Sequence, residues 1–317
     1  MFKRILVALD GSERAEQAIP FAAHLARASE GSIVFVRVVD TLRELGLYTS
    51  LTSVFLQEML EKDSAEAKTY LGKVTALSEL AGIQTRGIVA TGSVITSLLE
   101  TVHQEDIDGV ILCSHGYTGF KRWALGSVAQ KVARLSPVPL VLLRDQHLQL
   151  RPRLAHSTRI LVALDGSVFA EAALLPALQI AKALSAPEKG QVHLLQLMKT
   201  PTLEEEQRYR RLGFDVNLKE AICENATMYL QGLREKLLVT SGVDITCSVE
   251  ECEDVAQGLI QIVSSENEDR DQQRCDVLAL TTHGRSGLQR YLLGSITERV
   301  LAGSTLPLLI VHPAEAS

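Results

Sequence analysis

Two short clusters of residues with usable chemistry occur twice in this 317-residue chain. The first is Asp10-Gly11-Ser12, matched by Asp165-Gly166-Ser167, each closing a copy of the nine residues RILVALDGS. The second is Gly116 followed, after nine residues, by Gly126-Ser127, matched at the same spacing by Gly284 and Gly294-Ser295. A carboxylate at a strand end accepts hydrogen bonds from ribose hydroxyls. A glycine after a strand lets backbone approach an anion, and free N–H groups at a helix start complete an anion cradle that the helix dipole favours. Together these residues describe a crevice for a phosphorylated nucleoside. Each cluster also has a plainer reading: an Asx turn with Ser12 or Ser167 capping a helix, and a chain-turning Gly116 with Ser127 as a cap. Retention of the whole set in both copies favours the phosphate site.

Other reactive residues carry less. His115 and His283 have no Ser or Cys nucleophile partner by sequence and read as loop histidines. Cys113 ends an apolar strand and reads as an inert thiol. Lys121, Arg122, Arg285 and Arg290 lie in the nine-residue loops, where they are solvated or screen phosphates. No GxxxxGK[ST], GxGxxG or GxSxG segment is present, which argues against a P-loop NTPase, a dinucleotide dehydrogenase and an α/β-hydrolase.

The elements that would position these residues repeat in the same order in each half. In the first, strands are expected at Ile5 to Leu9, Ser32 to Val39, Ile83 to Ala90, Gly109 to Cys113 and Pro139 to Leu143. Helices are expected at Glu13 to Ala28, Val54 to Leu80, Ser93 to His103 and Gly126 to Leu135. In the second, strands fall at Ile160, Val192 to Leu197, Val243 to Val249, Val277 to Leu280 and Leu308 to Val311. Its helices begin at Phe169, Ala221, Val255 and Ser295. Asp10 and Asp165 are 155 residues apart but Gly126 and Gly294 are 168 apart, and the polar run Ser264 to Arg274 is the expected home of the extra residues. Strand and helix alternating in this way imply two tandem doubly wound α/β domains, Rossmann-like, each with a five-stranded, mainly parallel sheet. The domains are expected at 1–146 and 158–317, joined by a polar linker at 147–157. In such sheets a ligand sits at the carboxyl ends of the strands, where the strand order reverses.

Composition narrows the class. A net charge of −6 with acids and bases interspersed offers no basic stripe for a nucleic-acid backbone, and at 4% aromatics there is no stacking platform for single strands. Cys113, Cys223, Cys247, Cys252 and Cys275 form no CxxC pair and read as reduced core thiols of a cytoplasmic protein, without a zinc site. The N-terminal apolar run stops at Asp10 and recurs internally, so it is a strand rather than a secretion signal, and no membrane span is expected.

With ILVALDGS opening each half and G-x9-G-S closing it ahead of a Pro-led apolar strand, the chain resembles the universal stress protein family in its tandem form. The resemblance implies an adenine nucleotide alpha hydrolase-like fold and ATP, ADP or AMP as ligand, with Mg²⁺ as a companion ion but no metal site of protein alone. It implies that Ala8 with Asp10, and Ala163 with Asp165, contact ribose or adenine. Val38 and Val39, and Leu197 and Met198, would flank the adenine. Gly116, Gly126, Ser127 and Val128, with Gly284, Gly294, Ser295 and Ile296, would cradle the phosphates. The family's first glycine is replaced by Cys113 and Thr281, whose side chains crowd the ligand if the backbone there needs positive φ. The function implied is a nucleotide-dependent regulatory or stress-response module with at most weak ATPase activity, the alternative being an interaction scaffold that does not bind nucleotide. The final strands of the two halves are expected to pair as an intramolecular pseudo-dimer, and chains to form a homodimer.

Overall fold

The computed structural model describes residues 1–40, 53–114, 126–144, 157–212, 217–264, 275–282 and 293–313. The chain divides into two compact units, Met1–Pro152 and Arg153–Ser317. In the first unit β1 (Arg4–Ala8) leads through α1 (Glu13–Glu16) and α2 (Ala18–Ser29) to β2 (Ser32–Val39). There follow α3 (Ser53–Thr75), β3 (Gln84–Thr91), α4 (Val94–Gln104), β4 (Gly109–Cys113), α5 (Ser127–Leu135) and β5 (Leu140–Leu143). The strands run parallel in the order β3-β2-β1-β4-β5. Ile5, Leu6 and Val7 of β1 and Ile33 to Val36 of β2 are buried without alternation, as a sheet covered on both faces requires. The chain leaves β1 towards β2 and later returns to β4 on its other side. The diverging connections open a crevice at the carboxyl ends of these strands.

The second unit repeats the plan with β6 (Arg159–Leu164), α6 (Val168–Glu171), α7 (Leu174–Ser185) and β7 (Gln191–Lys199). It continues with α8 (Leu203–Arg211), α9 (Leu218–Ser241), β8 (Asp244–Cys252), α10 (Val255–Ser264), β9 (Val277–Thr281), α11 (Ser295–Gly303) and β10 (Leu308–Val311). Its strand order is β10-β9-β6-β7-β8, again parallel.

Five details differ from the sequence expectations. The first helix of each unit is broken in two, because Pro20 and Pro176 have no N–H to give the carbonyl four residues earlier, at Glu16 and Ala172. Helix α8 was not expected: LEEEQRYRR has no apolar stripe, and three glutamates complement the dipole of its first turn. The extra residues of the second half are spread out. Strand partners lie 155 residues apart at β1 and β6, 159 at β2 and β7, 160 at β3 and β8, and 168 at β4 and β9. Four were therefore gained before β7, and most of the rest between β8 and β9. Finally, Val168–Ser185 is long and apolar enough to cross a membrane, although more than half of it is buried as a core helix is. The five cysteines form no disulfide among the described residues and are only half-buried, so they are not the core thiols expected from their apolar neighbours.

Candidate functional site

The Asp-Gly-Ser segment folds identically in the two units. Ser12 donates to Asp10 Oδ1 from its backbone N (3.0 Å) and from its hydroxyl (2.6 Å), while Ala15 N donates to Ser12 Oγ (3.2 Å). The corresponding distances around Asp165 and Ser167 are 2.9, 2.6 and 3.2 Å. Gly11 and Gly166 sit at φ 86° and 82°, a left-handed backbone that explains glycine in both copies. The Asx turn is thus real, and it fixes each carboxylate beyond the end of its strand.

Opposite this turn, β4 and α5 are locked by a backbone bond from Gly126 N to Ser114 O (2.8 Å), and β9 and α11 by Gly294 N to Thr282 O (2.7 Å). Gly126 and Gly294, not the serines, occupy the N-cap position, and neither helix start receives a side-chain cap. The simple capping reading of Ser127 therefore fails. The N–H groups of the first turn, from Ser127 to Ala129 and from Ser295 to Thr297, are available donors at the positive end of a helix. Close approach also limits the glycine: a Cβ on Gly294 would lie 3.1 Å from Thr282 O. Cys113 and Thr281 are not among the described residues with positive φ, so the condition under which their side chains were expected to crowd the ligand is not met.

In the first unit these walls enclose one crevice of about 610 Å³, in the range of small-ligand sites. Ala8, Asp10, Val38, Val39, Cys113, Gly126, Ser127 and Val128 all line it. Gly116 lies outside the described residues, as do Gly284 and the loop residues His115, Lys121, Arg122, His283, Arg285 and Arg290. In the second unit Ala163 lies in β6, Leu197 and Met198 in β7, Thr281 at the end of β9, and Gly294, Ser295 and Ile296 at the start of α11. Strand register makes Leu197 and Met198 the counterparts of Val38 and Val39.

Several lining residues escaped the sequence reading. Arg37, the single charge inside the apolar run SIVFVRVV, reaches into the crevice with its guanidinium 5.0 Å from the centre of the Tyr70 ring. Asp40, Asp63 and Glu66 line the same side, and Ser93, Val94 and Lys131 the side of α4 and α5. Tyr70 and Tyr229 are a repeated pair on the long helices. Burial raises both hydroxyl pKa values, and the facing carboxylates of Glu16 and Glu171 raise them further. Tyr229 donates to Glu171 at 3.1 Å, whereas the buried Tyr70 hydroxyl faces Glu16 without closing a well-formed bond. The Tyr229 bond ties α9 to α6, the helix that follows the second Asp-Gly-Ser turn. Among the described residues, no three His, Cys, Asp or Glu side chains are grouped to hold a metal ion.

The universal stress protein family model matches residues 1–144 and again 156–312. A universal stress protein of Synechocystis sp. is 25% identical over 97% of this chain and 99% of its own length. One of Bacillus subtilis is 28% identical over 45% of this chain and all of its own. In fold, the crystal structure of a universal stress protein from Archaeoglobus fulgidus covers 99% of this chain and all of its own at a TM-score of 0.67, with 18% identity. The chain belongs to the universal stress protein family and carries its domain twice.

Proposed function

We propose that this protein binds an adenine nucleotide and acts as a nucleotide-dependent regulatory or stress-response module, with hydrolysis at most slow. The observation that carries this reading is the convergence of Ala8, Asp10, Val38, Val39, Gly126, Ser127 and Val128 on one crevice at the switch point of the sheet. The base would lie between the ends of β1 and β2, the ribose against Asp10, and the phosphates on the uncapped start of α5. ATP, ADP or AMP meets these requirements, and Mg²⁺ would come with the phosphates rather than with a protein site. We place the protein in the cytoplasm because its cysteines form no disulfide among the described residues, and we read the Pro-led apolar strands β5 and β10 as the surfaces that pair the halves and support homodimerisation. No nucleic acid or membrane partner is proposed.

The test is calorimetry with ATP on wild-type protein and on the double variant Gly126→Leu, Gly294→Leu. Loss of binding with an unchanged circular dichroism spectrum supports the site. Unchanged affinity removes this site assignment, whereas a wild-type protein that neither binds ATP nor shows a thermal shift leaves the interaction-scaffold reading.

A further inference from the structure

The two units share the glycines and the Asp-Gly-Ser turn of the candidate site but differ beside the start of the helix that would hold phosphate. Lys131, the fifth residue of α5, lines the first crevice and has no ion-pair partner among the described residues. The residue preceding α4 on the facing wall is Ser93, which is neutral. The first turn of α5 carries no acid. In the second unit the fifth residue of α11 is Arg299, and the residue preceding α10, in the place of Ser93, is Asp254. Arg299 Nη1 donates to Asp254 Oδ2 at 2.7 Å, and Asp254 Oδ1 also accepts from Gln257 N at 2.8 Å as the N-cap of α10. Glu298 adds an acid to the first turn of α11. The first unit thus holds Lys131 beside the start of α5 with the neutral Ser93 facing it, whereas in the second the matching Arg299 is already paired with Asp254.

We infer that the chain is a single-site nucleotide binder: Lys131 receives the polyphosphate in the first unit, whereas Asp254 holds Arg299 back and repels phosphate in the second. This rests on the nucleotide reading above and adds to it which half is used and which residues decide. The ion pair is solvent-exposed and so weak as a source of stability. Its effect here does not depend on stability. An incoming phosphate must take Arg299 from a carboxylate already in place and then sit beside that carboxylate, a like-charge contact that disfavours binding. The exchange Ser93 for Asp254 keeps an N-cap in either direction, because both residues cap helices well, so each can be transplanted without unfolding its helix.

The experiment is titration calorimetry of the nucleotide-free full chain with ATP and, separately, adenosine, on wild type, Lys131→Met, Ser93→Asp and Asp254→Ser. Wild type is expected to bind one ATP per chain. Lys131→Met and Ser93→Asp should each weaken ATP by about ten- to a hundredfold, the range of a charged hydrogen bond, while leaving adenosine within about twofold. Asp254→Ser should bring a second ATP into the measurable range. Two equal ATP sites in wild type, or ATP affinity indifferent to Lys131→Met, overturns the inference and leaves the nucleotide reading standing. No binding of ATP or adenosine overturns both.

Discussion

Asp10 is the residue at which the turn-forming and ligand-binding roles can be separated. Its Oδ1 accepts two hydrogen bonds from Ser12, at 3.0 and 2.6 Å, on an exposed turn. Asp10→Ala removes both. A hydrogen bond to a charged group contributes roughly 1.5–3 kcal/mol when sheltered, and solvent exposure lowers this, so the expected loss of stability is about 1–2 kcal/mol in total. Asp10→Asn keeps an oxygen for the Ser12 N–H and should cost under about 1 kcal/mol. For nucleotide the two variants should behave alike, because a ribose hydroxyl bonds a carboxylate about twice as strongly as a neutral acceptor. A loss of about 1.4 kcal/mol is a tenfold loss of affinity. Urea denaturation and ADP calorimetry on the two variants give the four numbers needed. If Asp10→Asn binds ADP as wild type does while Asp10→Ala loses only stability, Asp10 is a turn residue and the ribose contact is refuted.

Other perturbations follow from the same geometry. Gly166→Ala forces a side chain to φ 82° and should cost about 1 kcal/mol in denaturant midpoint, and an unchanged midpoint would contradict the left-handed turn. Tyr70 and Tyr229 hold their protons above the usual value of 10.0, so the unfolded chain ionises first and stability should fall as pH rises past about 10. Replacing both by Phe should flatten that alkaline limb, and a limb of unaltered slope counts against it. His193 bonds Thr246 Oγ1 and Ser248 Oγ at 2.7 and 2.9 Å, and burial, with Arg159 nearby, lowers its pKa from 6.5 to about 4. Below pH 6.5 the unfolded histidine takes a proton that the folded one refuses, so stability is full above that pH and declines towards pH 4. The loss, discounted for partial exposure, is on the order of 2 kcal/mol. His193→Val, which installs the residue found at the matching position Val34, should remove it; an acid limb equal to that of wild type shows that other groups titrate there.

The fold was legible because the duplication let each half check the other and because buried parallel strands announce themselves as unbroken apolar runs, as at Ile5 to Val7 and Ile33 to Val36. The crevice was legible where chemistry sits in short contiguous motifs, at Asp10-Gly11-Ser12 and Gly126-Ser127. It was not legible where the walls come from separate helices. Asp63, Glu66 and Ser93 reach the crevice only through the packing of α3 and α4 on the sheet, and no local spacing marks them. Arg37 did leave a signal, as a lone charge within a buried strand. The break after Glu16 was also readable from Pro20, whose missing N–H ends the hydrogen-bond ladder. The partnership of Arg299 with Asp254 joins residues 45 apart on two helices and is visible only in three dimensions.

The claim that this protein holds an adenine nucleotide is tested most directly by denaturing the protein as purified, with no nucleotide added, and identifying what it releases, by chromatography and mass, against the amount of chain. Release of ATP, ADP or AMP, close to one per chain, is the predicted result. Protein that releases no nucleotide and, when offered ATP with Mg²⁺, shows no thermal shift contradicts it.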